Sequence, residues 1–253
     1  MPSRILHTWK RDVLGRVEQV EGAGGVFVRR IACGCAWPGT GFVARRLMHR
    51  EREALRALKG MADVPQLLAD PELVSLPDAD GRVPRPREVL LRSWIGGAPL
   101  HEATHLPADF FDLLDALVED LHGRGVCHND LHKEQNIVVG DDGRPALIDF
   151  QLASVHAMRG PRFATRCHED LRHLQKHRRR YTRDGRAPHG VAQEGAGAGR
   201  ERRPLSKAWR RFGKPVYLFV TRSLLRTKDG EARRDSAGPW PTWGAAIGPK
   251  RPG

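Results

Sequence analysis

Long apolar runs are missing from this chain of 253 residues. No stretch approaches the roughly 20 apolar residues that a membrane-spanning helix requires. The opening MPSRILHTWKRD has no apolar core of the signal-peptide kind. The expectation is a soluble, cytoplasmic protein with no transmembrane segment. Cysteine is scarce, at four residues. Cys33 and Cys35 form one C-x-C, while Cys127 and Cys167 stand alone, so no second ligand pair at zinc spacing is visible and reduced thiols are expected. Lysine is scarce too. Of 43 Lys+Arg only eight are Lys, so arginine carries most of the net charge of +13. That charge suits an anionic surface, a phosphorylated glycan or nucleic acid as partner, nucleic acid being less favoured because the excess is spread along the chain.

What is present reads as two lobes and a polar tail. VLGRVEQV and VFVRRIA are β-rich runs joined by the turn EGAGG, giving a hairpin over 13–32. Residues 43–59 carry strong helix formers and read as one helix. SLPDADGRVPRP reads as a surface loop, and 88–95 as a strand closed by Gly96-Gly97. Phe111, Leu114, Leu117 and Leu121 recur at helical spacing within 107–123. NIVV and PALIDF are short strands around the turn GDDGR, and 169–181 is a basic helix. The resulting divisions are 1–95, 96–183, a flexible linker over 184–214, a short ordered island at 215–227 and a disordered tail over 228–253.

The chemistry concentrates between His128 and Ala153, in HNDLHKEQNIVVGDDGRPALIDFQLA. Asp130 is a carboxylate able to orient a hydroxyl and accept its proton. Asn136 and Asp149 offer the hard oxygens that magnesium takes. A hairpin NIVV–GDDGR–PALID would bring Asn136 beside Asp149. Any one of these residues alone fits a surface turn; all three in this order point to phosphoryl transfer, which asks mainly for positioning and charge neutralisation.

HNDLHKEQN resembles the catalytic loop of the protein-kinase-like superfamily, and IDFQ resembles its Asp-Phe-Gly. The resemblance runs roughly over 10–182. It is most like the compact bacterial serine/threonine kinases, RIO-type kinases, lipopolysaccharide-core (Kdo/WaaP-like) kinases and aminoglycoside phosphotransferases. It implies an α+β, two-lobed protein-kinase-like fold: a small antiparallel sheet lobe with one helix, a reduced, mainly helical lobe, and a flexible C-terminal tail. It also implies ATP and Mg2+ as cofactors, Asp130 as catalytic base, and Asn136 and Asp149 as metal ligands. Lys133 would reach the transferred phosphate, His128 would brace the loop through a backbone hydrogen bond, and Asp170 would anchor it or serve as an N-terminal helix carboxylate. The family spacing falls on Gln135 rather than Asn136; Asn136 is preferred because the apolar strand follows it directly.

In the small lobe Leu47, Glu51, Leu55 and Leu58 share one helix face. An inward carboxylate needs a cation. The family supplies a strand lysine; here the candidates are Arg29 and Arg30. Arg30 is preferred, because Val28 then lines the same face. A Gly-x-Gly-x-x-Gly loop is absent, Gly15 being the sole glycine of KRDVLGRV. Trp94 ends the strand where the lobes would hinge and the adenine edge would bind. The resemblance implies a phosphotransferase acting on an unknown hydroxyl acceptor, foremost a serine/threonine protein kinase. A sugar or small-molecule kinase and a catalytically weak pseudokinase scaffold are the alternatives.

Overall fold

The computed structural model describes residues 3–12, 14–33, 39–182 and 240–241. The linker, the island and all of the tail but Trp240–Pro241 lie outside the described residues.

The fold is α+β. Its first part is an antiparallel sheet in the order β1 (Arg4–Asp12), β2 (Gly15–Gly22), β3 (Gly25–Ile31) and β4 (Val89–Ser93). The hairpin β2–β3 turns where EGAGG suggests it, with Gly22 opposite Gly25. β1 is an additional strand. Register shifts between Ile5 and His7 and between Thr8 and Lys10 break its alternation, so no period of two is left to read.

Helix α1 (Thr40–Ala57) packs on one face of this sheet, burying Ala44 and Met48 against Ala32 and Leu90. Its buried line runs through Met48 and Glu51, with Leu47 only partly covered. The other face is covered as well. The short helix α2 (Pro71–Ser75), capped by Asp70 on the amides of Glu72 and Leu73, seats Leu73 against Val20 and Leu91. SLPDADGRVPRP is therefore not simply a surface loop. Its Asp78 is buried 3.4 Å from Arg16, and Asp80 meets Arg16 at 2.6 Å.

After the sheet the chain passes through β5 (Ala98–Pro99) and β6 (His105–Leu106) into α3 (Phe110–Gly123). Then come β7 (Val126–Cys127), β8 (Ile137–Val139), β9 (Pro145–Leu147) and β10 (Ser154–Val155). β5, β8 and β9 form one small sheet, and β7 pairs with β10. Trp240–Pro241 (β11) pairs in parallel with β6. The last helix among the described residues, α4 (Pro161–Tyr181), starts eight residues earlier than the basic run suggests, with Gly160 before it and Pro161 at its first position. Phe163, Asp170, Leu174, His177 and Tyr181 are its buried positions, spaced seven, four, three and four apart on one face. The large core joins α3 and α4 to β8, β9 and the end of α1, through Phe110, Leu114, Leu121, Ile137, Leu174 and Leu55 among others. Among the described residues no helix is long and apolar enough to cross a membrane.

Candidate active site

Helix α4 holds the HND loop at His128, Asn129, Leu131 and Glu134. Asp170, 1% exposed, accepts the backbone N–H of His128 at 2.8 Å and that of Asn129 at 2.9 Å. It also lies 3.2 Å from His122 Nε2. Because α4 begins at Pro161, Asp170 sits in mid-helix and is not an N-terminal carboxylate. His177 Nε2 meets the Leu131 carbonyl at 2.8 Å, so this histidine is buried and does not belong to a solvated basic face. Arg178, beside it, pairs with Asp112 and Asp115, each at 2.8 Å. Glu134 is held by Arg180 at 2.8 Å and by a hydrogen bond from the Tyr181 hydroxyl.

Two non-glycine residues adopt the left-handed conformation here, Asn129 (φ 63°) and Asp149 (φ 64°). Such strain persists only where surrounding contacts impose it, and it concentrates at functional sites. For Asn129 the contacts are the Asp170 cap and side-chain bonds to Leu152 O at 2.8 Å and Ser154 Oγ at 3.1 Å. His128 Nε2 donates to the Ile148 carbonyl at 2.9 Å, which holds the turn before Asp149 against the loop. That bond fixes the proton on Nε2 and leaves the buried Nδ1 without a partner.

Asp130 is 2% exposed. Asn136 Nδ2 donates to its backbone carbonyl at 3.0 Å and to its Oδ2 at 3.1 Å. Lys133 Nζ lies 3.2 Å from Oδ2 and His132 Nδ1 lies 3.0 Å from Oδ1. Burial, the largest single influence, pushes the Asp130 pKa up. The His132 contact and the Lys133 charge together outweigh it and hold the carboxyl below its ordinary value. Lys133 thus rests on the carboxylate of Asp130.

The hairpin β8–β9 pairs Ile137 with Leu147, and Ile148 N donates to Asn136 O at 3.0 Å. This brings Asn136 to the same end of the hairpin as Asp149. Asp149 Oδ1 is buried and has no hydrogen-bond partner. Phe150, fully buried, packs its ring 4.7 Å from that of His128.

In the small lobe Glu51 is 0% exposed and meets two guanidiniums, Arg30 at 3.2 Å and Arg92 at 3.3 Å. Arg92, on β4 opposite Val28, is a second cation that the helix–strand argument alone does not find. Its signal was present as the sole charge inside VLLRS. Arg29 points to the opposite face and is fully buried. It binds Glu18 Oε2 through Nε at 3.0 Å and NH2 at 2.6 Å, and also donates to the carbonyls of Leu73, Leu76 and Pro77. Arg50 is a further missed residue. From α1 it donates to Ala153 O at 3.1 Å and Leu152 O at 2.7 Å, tying the helix of Glu51 to the segment after Asp149.

At the turn between β1 and β2, Asp12 Oδ1 accepts the amides of Leu14 at 2.9 Å and Gly15 at 3.0 Å. Gly15 has φ 146°, and a Cβ there would lie 2.1 Å from Ile31 O, so glycine is required. Trp94, 37% exposed, stacks on Trp9 of β1 with centroids 5.7 Å apart.

No protein-family model matches this chain. Over 129 residues it is 35% identical to the probable SapB synthase of Streptomyces coelicolor, covering 47% of this chain and 14% of that protein. Over 105 residues it is 34% identical to the serine/threonine-protein kinase AfsK of Streptomyces coelicolor and, separately, to that of Streptomyces griseus, covering 42% of this chain and 12% of each kinase. The chain therefore matches only a small part of each of these longer proteins. Within that part it bears a partial, distant likeness to a serine/threonine kinase.

Proposed function

We propose that this chain is an ATP- and magnesium-dependent phosphotransferase that moves the γ-phosphate to a hydroxyl, and that the acceptor is a serine or threonine of a protein. One observation carries the reading. Asp130 and Asn136 are bonded across one turn, and the unpartnered Asp149 Oδ1 stands at the same end of the adjoining hairpin. A buried carboxylate oxygen without a donor is costly unless a cation meets it. The donor set, a carboxylate and a carboxamide, consists of hard oxygens of the kind magnesium selects. Asp149 and Asn136 would hold the ion, and when bound it supplies neutralisation of phosphate charge.

The remaining roles fall to side chains already in position. Asp130 Oδ2 is engaged by Asn136 and Lys133, while Oδ1 faces the half-exposed ring of His132. Oδ1 is the oxygen that orients the acceptor hydroxyl and takes its proton. The depressed pKa keeps it ionised at neutral pH. The ammonium of Lys133 carries the charge that meets the transferred phosphoryl group as it leaves the nucleotide. Arg30, steadied by Glu51, grips the nucleotide phosphates in place of the usual lysine, and Trp94 lies along the adenine edge.

The test is Asp130→Ala, assayed for transfer from labelled ATP to protein. Folding should persist, by thermal melting, and transfer should vanish; persistent transfer removes Asp130 as the base. Two observations support narrower variants. Only residues 150–160 separate Asp149 from α4, leaving little chain for a peptide platform, which favours a sugar or other small hydroxyl compound as acceptor. Asp12 already occupies the amides of Leu14 and Gly15, which favours a weak or inactive scaffold. Label appearing on glycan rather than protein selects the first. No thermal stabilisation by millimolar ATP with magnesium, together with no transfer, selects the second.

A further inference from the structure

Behind the HND loop, three elements bring together side chains that the phosphotransfer reading does not use. Cys127 ends β7 immediately before His128, Cys167 lies on α4 and His122 near the end of α3. Sequence spacing hides this cluster, because its members come from separate elements and the two cysteines are 40 residues apart. In space the two sulphurs are 3.7 Å apart, and they and a ring nitrogen of His122 lie within 4.8 Å of one another. Cys127 is fully buried, and Cys167 and His122 are partly covered.

The geometry points to a soft-metal site, and we infer that Cys127, Cys167 and His122 bind one zinc-class divalent ion. A tetrahedral ion with bonds of about 2.3 Å to sulphur holds two thiolates about 3.8 Å apart, and the observed sulphur separation already matches. Side-chain rotation of the histidine closes the rest. Two sulphurs and an imidazole are the donor set that zinc prefers over magnesium or calcium. The fourth position falls to water or to Asp170 Oδ2, which lies 3.2 Å from His122 Nε2. Binding releases the two thiol protons to solvent and needs no oxidant. The site would fasten α3, β7 and α4 together where Asp170 caps the loop amides, so metal occupancy would set how firmly the HND loop is held.

The experiment uses the full chain, reduced, stripped of metal and titrated with Co2+ without air. One equivalent should produce the near-ultraviolet thiolate-to-cobalt charge-transfer band and the intense visible bands of a tetrahedral site. Zn2+ should displace it and raise the melting temperature. Cys167→Ser, at a partly exposed position, should weaken cobalt binding about 100-fold, roughly one ligand's share of a four-ligand site. His122→Ala should weaken it as well. The Cys33→Ser/Cys35→Ser double variant and Asp149→Asn should leave the thiolate band intact, which separates this site from the magnesium ligands. No thiolate band in the folded wild-type chain overturns the inference. So does cobalt binding of unchanged affinity in Cys167→Ser, or a Cys127–Cys167 disulfide found by mass in the protein isolated under reducing conditions.

Discussion

The two lobes bury charge in opposite ways. In the sheet lobe, buried charges meet buried charges: Glu18 with Arg29, Glu51 with Arg30 and Arg92, and Arg16 with Asp78. Each carboxylate is spent on a neighbouring guanidinium, with Arg29 also holding the carbonyls of Leu73, Leu76 and Pro77, and the lobe is closed on both faces. In the helical lobe Glu134 meets Arg180 and Asp115 meets Arg178, but the buried groups nearest the HND loop hold backbone. Asp170 caps two loop amides, and His128 and His177 each fix a carbonyl. That scheme leaves one buried carboxylate oxygen over, Oδ1 of Asp149, beside the HND loop. Charge paired with charge stabilises a scaffold, whereas charge used to hold a backbone leaves polar groups free to act on a ligand.

The sharpest way to break this comparison is Asp170→Ala. Two buried N–H groups would lose a charged acceptor, each worth about 1.5–3 kcal/mol, so a loss of about 3–6 kcal/mol is expected. Urea denaturation measures it, and transfer activity should disappear even in the folded fraction. Unchanged stability would mean that the loop holds itself and that α4 merely rests against it.

Glu51→Gln comes next. It strands two guanidiniums in the lobe interior, and breaking a buried pair by removing one partner costs about 3–5 kcal/mol. The same measurement on Glu18→Gln should give a loss of similar size, since Arg29 is fully buried. A loss below about 1 kcal/mol in either variant would show that water reaches these arginines.

Glu134→Gln sharpens the account of the helical lobe. Burial alone would raise the Glu134 pKa. The contacts from His177 and Tyr181 and the charge of Arg180 overcome it and hold the carboxyl at about 2, against an ordinary 4.5. A depressed folded pKa means that the ionised group stabilises the fold above about pH 4.5 and that this contribution is lost as pH falls toward 2. The variant should be about 1–3 kcal/mol less stable at neutral pH, and its deficit against wild type should narrow as the pH is lowered through that window. A deficit that stays constant with pH would assign the effect to shape rather than charge.

Much of this was legible in the sequence, for definite reasons. Asp130, Asn136 and Asp149 lie within twenty residues of one another, and the hairpin that joins two of them is short enough to read from its turn. Glu51 announced itself as a carboxylate on an apolar stripe, and alternation on β3 separated Arg30 from Arg29. What stayed hidden depended on distant pairing. Glu18 reaches Arg29 across neighbouring strands, and Arg92 reaches Glu51 from strand to helix. β1 hid behind its bulges. The burial of Asp78 depends on a loop folding back over a sheet face. The start of α4 was obscured because PRFATRC has little helical signal of its own and is held by packing of Phe163 and Cys167.

The smallest expected effect tests whether the sheet lobe's arrangement is compatible with nucleotide binding. Arg30→Lys substitutes a point charge for a planar fork. The ammonium can still reach Glu51 Oε2, and Arg92 keeps its contact with Oε1, so the carboxylate remains compensated. The expected cost is about 1 kcal/mol or less, with folding and the ATP-and-magnesium thermal shift both retained. Tenfold tighter nucleotide binding by the lysine variant would identify the arginine as an obstacle, and would favour the scaffold reading for the native chain. Tenfold weaker binding would show that the fork itself holds the phosphates, and that this lobe has matched its pocket to arginine.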